Sequence, residues 1–93
     1  KKDLKQKMPV EKNIGYLYTV DSLDVPVILK NAVVVLKRGR YAVVKQHPKG
    51  RGIFLYGTVN DLEEGKVYDL RIQEISTYKG LKEITALIKL KEK

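Results

Sequence analysis

The stretch Val27–Gly57, VILKNAVVVLKRGRYAVVKQHPKGRGIFLYG, decides the fold. Val27 to Lys37 is too dense in β-branched side chains to favour a helix and reads as a long strand. Arg38-Gly39 makes its turn, and Arg40 to Gln46 is the antiparallel return. His47 to Gly52 carries one Pro and two Gly, which makes it a loop, and Ile53 to Gly57 is a third, short strand.

Upstream, Ile14 to Tyr18 reads as a short extended lead-in. Thr19 or Asp21 is placed to cap a single helical turn with Val20 and Leu23 on one face, which Pro26 ends. Downstream, Asn60 to Gly65 fits a second capped turn, with Asn60 as N-cap, acids in the first turn and Gly65 as the stop. Lys66 to Ile75 alternates, placing Tyr68, Leu70 and Ile72 on one face and Val67, Asp69, Arg71 and Gln73 on the other. Its alternation slips at Glu74-Ile75, which predicts a β-bulge. After a turn over Ser76 to Gly80, Leu81 to Lys91 is the last strand. Ile84, Ala86, Ile88 and Leu90 are expected inward, and Lys82, Thr85, Leu87 and Lys89 outward.

Five strands this short cannot stack as two sheets of useful size, whereas closing one bent sheet removes its edges. The expectation is an all-β, five-stranded OB-fold-like Greek-key barrel with one or two short helical turns. A small SH3-like barrel is the competitor, and its shorter strands fit the long first and fourth runs less well. Residues 1–12 read as a flexible basic tail and 13–93 as the single barrel domain.

The 93 residues hold 19 Lys and Arg against 11 Asp and Glu, a formal charge of +8, with one His and no Cys. That length supports one modest core and excludes a two-domain enzyme. Without Cys there is no disulfide scaffold, thiolate zinc site, iron–sulfur centre or thiol nucleophile. No uncharged stretch approaches the roughly 20 residues that span a bilayer, so no membrane-spanning segment is expected. The chain starts at Lys1 rather than Met, and any targeting segment is expected upstream of it. The charge is unevenly placed: residues 25–60 hold Lys30, Lys37, Arg38, Arg40, Lys45, Lys49 and Arg51 with no acid, while residues 61–93 sum to zero. A block of one sign on a folded surface attracts polyanions; its bland alternative is a solvated basic face.

Gly39, Tyr41, Gln46, Gly52, Leu55-Tyr56, Leu62, Gly65-Lys66 and Tyr78, Gly80-Leu81 form a turn-driven pattern over about three quarters of the chain. With the preceding YTVDSLDVPV segment, it resembles OB-fold nucleic-acid-binding-type domains, most closely those of envelope and secreted lipoproteins of Bacteroides-type bacteria. Two positions depart from that pattern. Asn31 stands where the family usually has a Gly that lets the first strand coil, and His47 where an Asp commonly follows Gln46. The resemblance implies a barrel more securely than a ligand, because such barrels bind oligonucleotides, oligosaccharides and proteins on one surface. It implies an envelope or secreted location over a cytoplasmic one.

No catalytic set is expected. A triad would have to combine His47 with Ser22 or Ser76, neither in a nucleophile-elbow context. His47 has no second His or Cys to share a metal, so neither metal nor cofactor is expected. Lys49 to Gly52 lacks phosphate-loop spacing and joins two strands, although its N–H groups can form a modest anion nest.

Binding single-stranded nucleic acid needs cations for phosphates and aromatic faces for bases. On an OB-like barrel this projects onto Lys37, Arg38 and Arg40 in the first hairpin, and Tyr41 and Lys45 on the second strand. His47, Lys49 and Arg51 follow in the next loop, then Phe54 or Tyr56, with Tyr78, Lys79 and Lys82 in the last hairpin and Arg71 alongside. Parity leaves open whether Phe54 and Tyr56, or Ile53 and Leu55, face outward. The expected function is non-enzymatic binding of single-stranded nucleic acid or another polyanion. The alternative is an envelope accessory domain making protein or glycan contacts.

Overall fold

One strand closes the sheet on itself. The computed structural model describes residues 8–57 and 59–93. Its elements are β1 (Val10–Glu11), α1 (Ile14–Leu17), β2 (Val27–Arg38), β3 (Tyr41–Lys45), β4 (Ile53–Tyr56), β5 (Val67–Tyr78) and β6 (Leu81–Glu92). β2 pairs antiparallel with β5 over its first half and with β3 over its second. The order β2-β3-β4-β6-β5 therefore returns to β2, giving a closed five-stranded barrel plus one extra strand, the OB-like architecture expected. β4 and β6 run parallel, with Leu55 opposite Ile84, and the other barrel pairs are antiparallel.

Two irregularities let β2 serve two partners. Its register shifts between Leu29 and Ala32, where Asn31 has φ 57°, a left-handed conformation that Asn tolerates better than most side chains. A second shift between Val34 and Leu36 turns Val35 outward. Alternate residues of each strand then line the interior: Val27, Leu29, Ala32, Val34, Ala42, Val44, Ile53, Leu55, Tyr68, Leu70, Ile72 and Ile84 are all buried. Ile14 and Leu17 of α1 join this core, as do Val59 and Leu62 of the β4–β5 connection. The two plugs sit at opposite ends of the β3–β4 ribbon. Ile14 N–H bonds Gln46 Oε1 just past β3, whereas the Leu62 carbonyl accepts from Lys37 Nζ beside the β2–β3 hairpin.

Several local expectations differ. The helix lies at Ile14–Leu17 rather than after Thr19, because Asn13 caps it: the Asn13 Oδ1 accepts the Tyr16 N–H at 2.9 Å. Val20 and Leu23 are non-helical and pack against the core from outside. Asn60 to Gly65 forms turns, not a capped helix. Its groups bond the barrel instead: the Glu63 N–H donates to Tyr68 Oη, the Gly65 N–H to the Val34 carbonyl, and Glu64 Oε1 accepts from the Lys37 N–H. Val10–Glu11, read as tail, is β1, parallel to β2. The expected tail's first seven residues lie outside the described residues.

The slip at Glu74-Ile75 is present, as register shifts between Ile72 and Glu74 and between Glu74 and Ile75. It changes the expected faces of β6. A one-residue shift exchanges inward and outward positions, so Leu87, opposite Ile72, packs on the core while Ile88 and Leu90 are exposed. Asp69, expected outward, is buried next to a further shift between Asp69 and Leu70.

Candidate functional site

The outer face of the β3–β4 ribbon carries the aromatic groups. Ile53 and Leu55 are buried, so Phe54 and Tyr56 point away from the core, and Tyr41, Val43 and Lys45 share that side on β3. Tyr41 and Phe54 stack with ring centroids 5.6 Å apart and planes 6° from parallel. Such a pair contributes about 0.5–1.5 kcal/mol beyond its buried area. Tyr56 stands beside Tyr41 in the register and is 48% exposed. At roughly 3.4 Å per residue, the strip from Tyr41 to Lys45 is about 14 Å long.

Cations flank both ends of this strip. At the hairpin end the Arg40 guanidinium lies 6.0 Å from the Tyr56 ring centroid, and Arg38 pairs with Glu64 at 3.2 Å. At the other end Lys45 Nζ bonds the Pro48 carbonyl, and His47 and Lys49 are exposed on the loop. The Arg51 guanidinium lies 3.5 Å from the Tyr18 ring centroid, and Tyr18 Oη donates to the Gly52 carbonyl at 2.7 Å. The N-terminal segment thus fixes the plane of Arg51, an arrangement invisible to sequence spacing because 33 residues separate the pair. A hollow of about 280 Å³ lies next to Lys45, lined by Val33, Val35, Gln46, His47 and Pro48 as well.

Not every expected residue joins the strip. Lys37 turns to the barrel end, where its Nζ bonds the Leu62 carbonyl. Arg71 lies on β5, which borders neither β3 nor β4, and its Nε bonds Gln73 Oε1. Lys82 is buried, not in the last hairpin's exposed set: its Nζ bonds the Val20 carbonyl and lies 3.9 Å from Asp21. Parity explains this, since Lys82 shares the inward face of Ile84, two residues on. Tyr78 is 60% exposed, with Lys79 Nζ 5.5 Å from its ring centroid. Of the seven cations in residues 25–60, Lys30 belongs elsewhere, 4.0 Å from Asp69.

Glu83 is a site-lining residue that the sequence reading passed over. It stands opposite Phe54 on β6, and only the parallel β4–β6 pairing places it there. The shifted titrating groups lie off the strip. Asp69 is held below the usual carboxylate range by the Asn31 N–H, with Lys93 adding to the effect. Lys66 is raised by its hydrogen bond and ion pair to Glu92. Among the described residues no three His, Asp or Glu side chains gather to hold a metal, and no helix is long and apolar enough to cross a membrane. Comparison with protein-family models, with curated proteins and with solved structures finds no match for the chain.

Proposed function

We propose that the chain is a non-enzymatic OB-fold binding module whose β3–β4 face engages single-stranded nucleic acid. The observation that carries this reading is the stacked Tyr41–Phe54 pair with exposed Tyr56, flanked by Arg40 at one end and by Lys45, Lys49 and Arg51 at the other. Exposed aromatic faces stack bases at about 1–3 kcal/mol each without regard to sequence, and flanking cations track phosphates. Fluorescence anisotropy with a labelled oligonucleotide at low and moderate salt tests it. Binding that falls steeply with salt supports the reading; absence of binding at low salt, or indifference to salt, overturns it.

A second reading, an envelope accessory domain making protein contacts, draws on the C-terminal part of β6. Ile88 and Leu90 are exposed on β6, beyond the two residues through which that strand pairs with β4. An apolar strand with an open edge is a site for strand addition by a partner chain.

A further inference from the structure

The strip ends in a notch whose chemistry differs from the rest of the face. Among the described residues, Tyr56 at the end of β4, Tyr78 at the tip of the β5–β6 hairpin and Glu83 on β6 line a hollow of about 310 Å³. Both rings are exposed, and each has a cation beside it, Arg40 next to Tyr56 and Lys79 next to Tyr78. Glu83 adjoins Phe54 in the β4–β6 register, so the notch is continuous with the stacked pair. Its carboxylate has no hydrogen-bond or ion-pair partner among the described residues.

A nucleobase offers a flat face and a polar edge. Tyrosine rings suit the face, and Arg40 and Lys79 suit the phosphates on either side. An ionised carboxylate only accepts hydrogen bonds. It therefore pairs with the exocyclic amino groups of cytosine, adenine or guanine, and meets the carbonyl edge of thymine or uracil unfavourably. We propose that Glu83 reads the edge of a base held between Tyr56 and Tyr78 and favours amino-bearing bases over thymine and uracil. This rests on the single-strand reading above. A carboxylate between two tyrosines also suits a cationic side chain, but the cations already flanking both rings oppose a further positive charge there.

The test is anisotropy titration of labelled oligo(dC) and oligo(dT) of equal length at neutral pH, with the wild-type chain, Glu83→Ala and Glu83→Gln. The wild type is expected to bind oligo(dC) about 5- to 30-fold more tightly. Glu83→Ala is expected to reduce that preference to less than about twofold while oligo(dT) affinity holds or rises, because only the amino-group contact is lost. Glu83→Gln, of the same size and still carrying a carbonyl acceptor, retains part of the preference. Equal affinity of the wild type for both strands overturns the proposal, as does a preference that survives Glu83→Ala. A lysine peptide that binds the wild type and not Glu83→Ala overturns it in favour of a cationic side chain. Strand binding without base preference leaves the single-strand reading standing; failure to bind either strand ends both.

Discussion

Asn31, at φ 57°, donates its backbone N–H to Asp69 Oδ1 at 3.0 Å. The bond ties β2 to β5 at the register shift between Leu29 and Ala32, two residues before β2 takes β3 as its second partner at Val33, so it secures the seam that closes the barrel. Lys93 Nζ reinforces it, 3.2 Å from Asp69 Oδ1 and 2.7 Å from Asn31 Oδ1.

This seam makes stability depend on acid. The Asp69 carboxyl is held below its ordinary value, first by the Asn31 N–H, against the opposing effect of burial. Its contribution is complete above the unfolded value near 3.9 and is lost as pH falls through the lower folded value, where the unfolded chain binds the extra proton first. Asp69→Asn is expected to cost about 1–3 kcal/mol at pH 7 and to flatten the loss of stability below about pH 4. Thermal melts from neutral to acid pH check both.

Backbone conformation at Asn31 gives a second expectation. Asn31→Gly stays within about 1 kcal/mol of the wild type, since glycine adopts positive φ freely. Asn31→Val loses about 1–2 kcal/mol more, because a β-branched side chain resists the left-handed region. Denaturant midpoints of the two variants distinguish them.

Lys82 and Lys49 separate folding from binding. Lys82→Met leaves the Val20 carbonyl without its donor and is expected to cost about 1–3 kcal/mol of stability with oligonucleotide affinity unchanged. Lys49→Ala, on an exposed loop, does the reverse. Melting and anisotropy on the same two preparations check the contrast.

Much of the barrel is legible in local patterns. The β-branched run of β2, the turn at Gly39, the loop over His47 to Gly52 and the slip at Glu74-Ile75 all give themselves away within a few residues. Asn31, within the β-branched run, adopts a left-handed conformation that glycine favours. What stayed hidden depends on distant pairing. The outward face of Phe54 and Tyr56 follows from burial of Ile53 and Leu55, and parity alone cannot choose between the pairs. Leu87 and Ile88 exchange faces because a bulge intervenes. Arg51 meets Tyr18, and Glu83 meets Phe54, only after the barrel closes. The charge block is legible as a count but not as a surface, because Lys37 and Lys30 turn to the barrel end and seam.

Phosphate contacts are expected at both ends of the strip. Each of Arg40→Ala and Lys49→Ala should weaken binding and reduce the slope of log affinity against log salt by about 0.7, the value for one phosphate on a single strand. Arg71→Ala, on β5, should leave the slope unchanged. Anisotropy titrations at four or more salt concentrations measure these slopes.

The outer face of β3 and β4 is the surface proposed to hold the strand, and amide chemical-shift mapping with an unlabelled single strand locates it residue by residue. Titration is expected to shift resonances of Tyr41, Val43, Lys45, Phe54, Tyr56 and the loop from His47 to Arg51, while Arg71, Ile88 and Leu90 stay in place. Shifts centred on β5 and the exposed end of β6, or none at saturating strand, would contradict this placement.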